Sequence, residues 1–138
     1  MPRSIIADSS ALVAFLSRDD QHQNWMAEQA GILPSPWLVC EPVLTETFHL
    51  VEQRGVSTLE NLLRLGGIVL TFDLSRELGP VLDLMDKYDN VPMSLADACL
   101  VRMTEILPEP VVVTTDADFR IYRRHSRLVV PCLMPGAL

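Results

Sequence analysis

The chain has 138 residues, a formal net charge of −7 and three cysteines, none of them in a CxxC pair. The length suits one domain with its own core, the sparse cysteines indicate reduced thiols, and the charge excludes nucleic-acid binding through the overall field of the protein. No apolar stretch approaches the roughly 20 residues of a membrane span, so we expect a cytoplasmic protein without signal peptide or anchor that folds as one domain over residues 1–138.

Five short apolar runs along the chain are typical of buried strands, and the segments between them carry helical patterns. The runs begin at Ser4, Trp37, Ile68, Val111 and Leu128. Strands that alternate with helices predict an α/β fold, here a three-layer α/β/α sandwich around a mostly parallel, about five-stranded sheet. Pro131 lies in the last run and has no N–H to donate, so we expect that strand at an edge of the sheet.

Polar caps and glycines predict the bounds of the first helices. Ser9 or Ser10 can cap a helix that reaches Leu16. A second helix is expected over about residues 22–30, where Gly31 would stop it.

Further along, a helix over about residues 42–54 would stop at Gly55. The spacing of Ser57 and Glu60 predicts a capping box that begins the next helix, which would end at Gly66-Gly67. A later apolar periodicity predicts a helix that starts near Pro80 or is kinked there.

Two of the apolar runs end on acids. Asp8 follows the first run, and Asp116 follows the valine-rich run. Because ligands bind at the carboxyl ends of the strands in an open α/β sheet, two such strands lying side by side would bring these acids together there. The structural alternative is that each acid caps the following helix. Asp118, which directly precedes Phe119, suits that cap better, and this leaves Asp116 for function.

Two further acids occupy helical positions with apolar neighbours. Glu46 lies three residues after Val43 and four before Leu50, and this stripe predicts a side chain turned toward the domain, although a glutamate at the margin of the stripe explains the pattern as well. Asp97 follows Ser94 with the spacing of a capping box, and we expect Ser94 to begin that helix. Apolar residues one turn further on orient Asp97 inward, so the capping and functional interpretations are compatible.

Together these acids indicate a chemistry. Carboxylates that share a pocket raise one another's pKa unless cations neutralise them, and ligands that are all oxygen select Mg²⁺ or Mn²⁺ over zinc. Such ions, singly or as a pair, serve phosphodiester hydrolysis because they lower the pKa of a bound water and stabilise the attacking and leaving oxygens. Bound cations would also give this acidic protein a route to RNA.

The order and spacing of these motifs resemble the PIN domain family, and specifically its small single-domain toxins of the VapC type. The resemblance covers essentially the whole chain, and its most specific part is the T-x-D-x-D-F pattern after the valine-rich strand. It implies a PIN-like nuclease domain that cuts RNA with Mg²⁺ or Mn²⁺, and a homodimer inhibited by a cognate antitoxin. The matching segments are Asp8-Ser9-Ser10, Thr45-Glu46-Thr47, Leu95-Ala96-Asp97-Ala98 and Thr114-Thr115-Asp116-Ala117-Asp118-Phe119.

The resemblance also implies roles for individual residues. Catalysis and metal binding would both depend on Asp8, Glu46, Asp97 and Asp116. Ser10 and Thr114 would be supporting polar groups, with Asp118 as an outer participant. Which acids bind metal directly, and whether one ion or two are bound, stays open.

A single basic cluster lies directly downstream of Asp116. A charge run is usually a solvated turn, but the adjacency of this one to the proposed site equally allows contacts with an RNA backbone. Its members are Arg120, Arg123, Arg124, His125 and Arg127.

Three other functions stay open. A PIN-like nuclease could process RNA outside a toxin–antitoxin pair. A phosphoryl-transfer domain with an acid at the end of its first strand generally needs a nearby lysine, and Lys87 is the only lysine in the chain. A non-catalytic module would use the cleft to dock a protein tail. The sequence does not indicate whether transfer, ribosomal or messenger RNA would be cut.

Overall fold

The computed structural model describes residues 2–136, which form a five-stranded parallel sheet with helices packed on it and a separate two-stranded hairpin. The strands are β1 (Ser4–Ala7), β2 (Trp37–Val39), β3 (Ile68–Leu70), β4 (Pro110–Val113), β5 (Arg123–Arg124), β6 (Leu128–Val129) and β7 (Cys132–Leu133). The helices are α1 (Ser9–Leu16), α2 (Gln23–Ile32), α3 (Glu41–Leu50), α4 (Gln53–Leu65), α5 (Leu74–Lys87) and α6 (Leu95–Ile106), and a 3₁₀ helix covers Ala117–Arg120. These elements confirm the predicted three-layer α/β/α fold.

The strand order of the sheet is β3-β2-β1-β4-β7, and every neighbouring pair is parallel. The chain moves outward from β1 through β2 to β3 and then returns to place β4 on the other side of β1. The sheet therefore has a topological switch point between β1 and β4. The crevice outside the carboxyl ends of these two strands is where an open α/β sheet binds ligands.

The two strands at the switch point also form the centre of the core. All four residues of β1 are buried, and so are Val111, Val112 and Val113 of β4, because a central strand of a three-layer fold is covered on both faces. The register pairs Ile6 with Val112 and Ala7 with Val113, so the two strands end at the same level. The residues that follow Ala7 and Val113 are thereby set side by side.

The last apolar run forms two strands rather than the single predicted one. β6 pairs antiparallel with β5 in the hairpin, whereas β7 joins β4 at the edge of the sheet, which is the edge position that Pro131 predicted. Pro131 lies between the two strands, where its missing N–H interrupts a continuous ladder. Its carbonyl oxygen accepts a hydrogen bond from Val112 N at 2.9 Å.

Gly31 does not end α2, contrary to the prediction. The helix continues through Gly31 to Ile32. Leu33 is extended, because the ring of Pro34 disfavours a helical conformation in the residue before it. The proline, rather than the glycine, sets the end of this helix.

Gly55 and the capping-box spacing of Ser57 and Glu60 lie inside α4, so neither marks a helix bound as predicted. The actual break between α3 and α4 falls at residues 51–52. A Cβ at Gly55 would lie 3.1 Å from the carbonyl oxygen of Leu16, so this glycine serves the close packing of α4 on α1.

The predicted start of α5 is also wrong, while the predicted end of α4 is confirmed. α4 ends at Gly66, whose φ of 83° is left-handed. α5 begins at Leu74 because Asp73 caps it, accepting a hydrogen bond from Ser75 N at 3.1 Å. Pro80 lies within this helix rather than at its start.

Two expectations drawn from composition can be compared with the fold. The thiols of Cys40, Cys99 and Cys132 are free, as predicted. Across residues 2–136, no helix combines the length and the apolar character needed to cross a membrane.

Candidate active site

Asp8 occupies the carboxyl end of β1, in the crevice at the switch point. Its N–H donates to the carbonyl oxygen of Val113 at 3.0 Å, which continues the pairing of β1 with β4 by one residue. Asp8 is 3% exposed and is the N-cap of α1, with its side chain accepting a hydrogen bond from Ser9 N at 2.7 Å. The predicted caps, Ser9 or Ser10, are wrong because both residues are already helical, whereas Asp8 has the extended backbone of a cap.

Hydroxyl groups from both sides of the switch point surround the Asp8 carboxylate. Ser10 Oγ donates to Asp8 Oδ2 at 2.9 Å, and Thr114 Oγ1 donates to the same oxygen at 2.7 Å. In turn, Ser10 Oγ accepts from Thr115 N at 3.0 Å, and Thr114 Oγ1 accepts from Asp116 N at 2.9 Å. These bonds tie the loop after β4 to the start of α1, and they place Ser10 and Thr114 beside the acid that they are expected to support.

The two hydroxyl groups have an alternative hydrogen bond to each other. Ser10 Oγ and Thr114 Oγ1 are 3.1 Å apart, and either can be the donor. Each hydroxyl carries one hydrogen, so turning one of them toward the other would release a lone pair of Asp8 Oδ2 without leaving a donor unpaired. Asp8 can thus offer one acceptor position to a ligand at little cost in hydrogen bonding.

Asp116 caps the 3₁₀ helix that follows β4. Its Oδ1 accepts a hydrogen bond from Asp118 N at 2.9 Å. The prediction that Asp118 would take the cap is wrong, because Asp116 has the extended backbone ahead of the helix whereas Asp118 is already within it. Asp116 commits one carboxylate oxygen to this cap, and its own N–H is held by Thr114 next to Asp8.

Two substitutions of Asp116 can distinguish how its cap and its charge each affect the free energy of unfolding. Asparagine caps about as well as aspartate, so in EDTA we expect Asp116→Asn to leave the free energy of unfolding unchanged or raised, and Asp116→Ala to lower it by about 1 kcal/mol. Urea denaturation of both variants measures the difference. Equal losses in the two variants would show that the charge, rather than the cap, stabilises the metal-free protein.

Asp97 approaches the same crevice from the first turn of α6. Ser94 caps this helix as predicted, accepting a hydrogen bond from Asp97 N at 3.0 Å. The carboxylate accepts a hydrogen bond at Oδ2 from Tyr122 OH at 2.8 Å. Burial raises the pKa of Asp97 to about 6, and the negative charges of Asp8 and Asp116 add to the effect while Tyr122 opposes it.

Glu46 lies on α3 and is more exposed than predicted. The buried residues of this helix are Val43 and Thr47, whereas Glu46 and Leu50 are both exposed. The predicted stripe through Leu50 is wrong because Thr47 packs inward, with its hydroxyl donating to the carbonyl oxygen of Val43 at 2.7 Å. The pKa of Glu46 is nevertheless raised, first by partial burial and then by the charges of the two acids that follow β1 and β4.

Four predicted acids interact electrostatically at this end of the sheet. The charge of Asp116 contributes to the raised pKa of each of the other three, and burial is the largest cause in every case. The structure therefore brings the four acids into one electrostatic neighbourhood. We refer to Asp8, Glu46, Asp97 and Asp116 as the acidic cluster.

The carboxylate oxygens of the acidic cluster are ligands that a hard divalent cation prefers, but the side chains are not arranged around a common ion position. Carboxylates that raise one another's pKa are stabilised by Mg²⁺ or Mn²⁺, which prefer oxygen ligands. Within residues 2–136, however, no three Asp, Glu, His or Cys side chains are arranged to hold an ion. In addition, both oxygens of Asp8 already accept hydrogen bonds, from Ser9, Ser10 and Thr114. Binding an ion at Asp8 would require an adjustment. Ser10 or Thr114 could turn its hydroxyl hydrogen toward the other and so free a lone pair of Asp8 Oδ2.

The arginines of the basic cluster divide into two pairs. Arg123 Nη1 donates to the carbonyl oxygens of residues 120–122 at 2.7 to 3.2 Å, and Arg124 Nη2 donates to a carbonyl oxygen of α6. These two guanidinium groups are therefore engaged by the fold, which leaves them less available for the expected contacts with an RNA backbone. Arg120 and Arg127 are exposed, so they remain available to a ligand.

The sequence profile of the PIN domain matches residues 5–124, a span that covers most of the chain and includes the whole acidic cluster. The chain belongs to the PIN domain family. PIN domains form a nuclease superfamily, and PIN nucleases bind RNA and generally use Mg²⁺ or Mn²⁺. A comparison with curated proteins gives no match. The matched part of this PIN domain ends in β5, so β6 and β7 lie outside it.

Tyr122 is a residue of this PIN domain crevice that the sequence did not reveal. It is fully buried, and burial followed by the contact with Asp97 raises its pKa, so the hydroxyl keeps its proton and acts as a donor. The only available signal is the spacing of Phe119 and Tyr122 directly after the acids. Two aromatic residues three positions apart are more typical of a core than of a catalytic site, and here they also pack as core.

Proposed function

We propose that this PIN domain is a divalent-metal-dependent endoribonuclease, and that residues 1–138 form one nuclease domain. The observation that carries the proposal is the acidic cluster at the switch point, where burial raises the pKa of Asp8, Glu46 and Asp97 and the charge of Asp116 adds to the effect in each case. Acids that stabilised the fold through ion pairs would have cationic partners. The ion pairs that Arg102 forms with Glu77 and Glu105 lie elsewhere in the molecule. An uncompensated cluster in a ligand-binding crevice is instead what a cation stabilises.

The acidic cluster would hold Mg²⁺ or Mn²⁺, and the bound ion would supply a more acidic water and neutralise charge on the phosphate. Asp8 would be a firmly held ligand because it is buried and fixed as the cap of α1. Asp97 Oδ1 accepts no hydrogen bond from residues 2–136, so this oxygen is open to a water or a ligand. Without a bound ion, Asp97 has a pKa of about 6 and is therefore mostly ionised at neutral pH.

Arg120 and Arg127 would hold the RNA backbone. Both side chains are exposed, and neither donates a hydrogen bond to another group of residues 2–136. Arginine contacts to phosphate give affinity and register without reading the base sequence. The local positive charge would thus offset the repulsion that RNA meets from the rest of this acidic protein.

Removing both Arg120 and Arg127 by alanine substitution is expected to weaken RNA binding uniformly across RNA sequences. With single-stranded RNA, the slope of log affinity against log salt should fall by about 0.7 for each phosphate that the variant no longer neutralises. Fluorescence anisotropy at several salt concentrations, in an Asp8→Asn background that does not cleave, measures both effects. Arg123→Ala should instead lower the free energy of unfolding. A salt slope unchanged in the double variant would remove these arginines from the interface.

The phosphoryl-transfer alternative loses support from the position of Lys87. Its Nζ donates to the carbonyl oxygen of Ser126 at 2.8 Å and lies 5.3 Å from the centroid of the Tyr88 ring. The lysine that such chemistry needs beside the acids is therefore committed to the hairpin. Labelling of Asp8 by a phosphodonor analogue would nevertheless favour that alternative.

We further propose that the protein is a VapC-type toxin that acts in the cytoplasm as a homodimer and is inhibited by a cognate antitoxin. The motif resemblance supports this setting. A partner surface is supported by Ile32 and Leu65, two large apolar side chains that are 75% and 86% exposed. Sedimentation tests the dimer. A short neighbouring reading frame for a DNA-binding protein with a flexible tail would support the antitoxin, and its absence would favour RNA processing outside a toxin–antitoxin pair.

Calorimetry with Mg²⁺ and Mn²⁺ tests the proposed metal dependence. The wild-type protein should bind either ion, and Asp8→Asn should lose most of that affinity. Asp20→Asn is a matched control, because Asp20 Oδ1 also accepts a hydrogen bond from a nearby backbone N–H, that of His22 at 2.8 Å, but is not part of the acidic cluster. A wild-type protein that binds neither ion would favour a non-catalytic module whose cleft docks a protein tail.

A further inference from the structure

Tyr122 brings a buried hydroxyl group into contact with the acidic cluster. The residue is 0% exposed, and its OH donates to Asp97 Oδ2 at 2.8 Å. A buried tyrosine hydroxyl needs a polar partner, and within residues 2–136 Asp97 is the partner it has. Tyr122 thus joins the hydrophobic core directly to a carboxylate of the candidate site.

Two aromatic rings fix the ring of Tyr122. Phe119 packs edge-on against it with the ring centroids 5.2 Å apart and the planes at 85°, and Tyr88 does so at 5.2 Å and 66°. Such edge-to-face pairs favour one relative orientation of the rings. Phe119 is itself fully buried, so the ring of Tyr122 has little freedom to turn.

The backbone after Tyr122 is anchored independently of the acidic cluster. Three backbone groups of the hairpin segment are held by side chains of α5, of its C-cap residue Tyr88 and of α6. Tyr88 OH accepts from Arg123 N at 2.8 Å, Glu105 Oε2 accepts from His125 N at 2.7 Å, and Lys87 Nζ donates to Ser126 O at 2.8 Å. The position of the Tyr122 hydroxyl is therefore set by contacts that do not involve Asp97.

We infer that Tyr122 is a positioning residue of the active site, which holds Oδ2 of Asp97 and leaves Oδ1 for a metal ion or a water. The inference rests on the proposed function, because the exact placement of Asp97 matters only if the acidic cluster binds a ligand. The contacts that hold Asp97 in place begin in the hydrophobic core and end at the candidate site. The aromatic rings and the hairpin fix the hydroxyl, and the hydroxyl fixes the carboxylate.

Asp97 needs such a tether because its neighbours repel it. The negative charges of Asp8 and Asp116 act on the Asp97 carboxylate, and within residues 2–136 no arginine or lysine forms an ion pair with it. Without the hydroxyl, a half-buried carboxylate under this repulsion would turn toward solvent. Groups that orient metal ligands through such hydrogen bonds typically contribute about 10- to 100-fold to metal affinity or activity.

Tyr122→Phe and Tyr88→Phe form a matched pair of variants. Each removes one tyrosine hydroxyl from the same aromatic group beside the hairpin, but only the Tyr122 hydroxyl contacts Asp97. We expect Tyr122→Phe to weaken Mn²⁺ binding and to lower kcat for RNA cleavage by about 10- to 100-fold each. Tyr88→Phe removes one anchor of the hairpin but keeps the hydrogen bond from Tyr122 to Asp97, so it should lower both by clearly less than Tyr122→Phe does. Mn²⁺ binding is measured by electron paramagnetic resonance of the free ion, without reference to activity.

The outcomes separate this inference from the proposed function. If the wild type binds Mn²⁺ and cleaves RNA but Tyr122→Phe matches it in both, the inference is overturned and the proposed function stands. Equal losses in the two tyrosine variants would also overturn it, since they would reflect damage to the hairpin. A wild type that binds no Mn²⁺ would refute the proposed function and this inference together.

A fluorine label covers the case in which Tyr122→Phe does not fold. The chain has two tyrosines, so Tyr88→Phe protein produced with 3-fluorotyrosine carries its single label at Tyr122. The ¹⁹F resonance should shift when Mg²⁺ is added, because the ion would change the charge of the carboxylate that the hydroxyl contacts. A resonance that does not move in Mg²⁺ concentrations that saturate the protein by calorimetry would contradict the inference.

Discussion

Asp8→Asn is expected to lower the rate of metal-dependent RNA cleavage about 1,000-fold. The acidic cluster would lose its most deeply buried charge, and an ion that contributes about 4 kcal/mol of charge stabilisation in the transition state would be held weakly or not at all. Cleavage of an end-labelled RNA in saturating Mg²⁺ measures the loss.

The same substitution should leave the metal-free protein as stable as the wild type or more stable. Burial raises the pKa of Asp8, so the fold holds the ionised form at a cost that asparagine does not carry. The asparagine oxygen can keep the cap to Ser9 N, and its amide can donate to Ser10 and Thr114, whose hydroxyls can pair with each other. Urea unfolding in EDTA gives the free energies to compare.

Asp20→Asn provides the control for both measurements. It changes an aspartate that also accepts a backbone hydrogen bond, but one that follows the far end of α1 from Asp8. We expect full cleavage activity in this variant. Wild-type activity in Asp8→Asn would exclude the acidic cluster as the catalytic site, and a loss of stability well above about 1 kcal/mol would show that the Asp8 carboxylate stabilises the metal-free fold.

The second large effect concerns stability and pH. The metal-free protein is expected to lose about 2 kcal/mol between about pH 4 and pH 6 through Asp97, whose pKa is raised to about 6 from 3.8. In this range the folded protein keeps the Asp97 proton and the unfolded chain releases it, so rising pH favours the unfolded chain. The figure is below the full effect of the shift because Asp97 is only half-buried and solvent screens its charge.

Thermal unfolding in EDTA across this pH range measures the effect, with Asp97→Asn as the reference. The other carboxylates titrate in both proteins, so the difference between them isolates Asp97. The stability of Asp97→Asn relative to the wild type should rise by about 2 kcal/mol from pH 4 to pH 6. Saturating Mg²⁺ should restore the wild type above pH 6. A difference that is constant with pH would show that burial and repulsion do not act on Asp97.

The sheet could be predicted from the sequence because its central strands are buried on both faces. Val111 to Val113 of β4 and Ile5 to Ala7 of β1 are uninterrupted apolar runs, and each run ends on polar residues where the chain leaves the core. Asp8 and Asp116 could therefore be placed at the carboxyl ends of their strands. That β1 and β4 are neighbours, which brings the two acids together, is a property of the strand order, and the sequence did not reveal this order.

Helix bounds were predicted less well because local signals compete with tertiary packing. Gly55 looks like a helix stop, but the fold uses its missing Cβ to bring α4 against α1. The two serines after β1 look like caps, but Asp8 caps α1 because the strand delivers it in extended conformation. Asp116 displaces Asp118 as a cap for the same reason. The residue with the right backbone takes the cap, and sequence spacing alone does not reveal that residue.

Contacts between distant segments account for what the sequence could not show at the site. Tyr122 is 25 residues from Asp97 in sequence, and no periodicity links them. Arg123 and Arg124 belong to a basic run, yet their guanidinium groups donate to carbonyl oxygens of the fold. Glu46 has apolar neighbours at helical spacing, but a neighbouring threonine takes the inward position on α3. Each of these outcomes depends on how helices and hairpin pack.

The measurement that tests the central claim most directly is cleavage of RNA by the purified protein in EDTA, followed by addition of excess Mg²⁺ or Mn²⁺. The proposed function predicts intact RNA in EDTA, cleavage at internal phosphodiester bonds once either ion is added, and no cleavage in Asp116→Asn under the same conditions. Cleavage that persists in EDTA, or that is unaffected by Asp116→Asn, would contradict a metal-dependent site built from the acidic cluster.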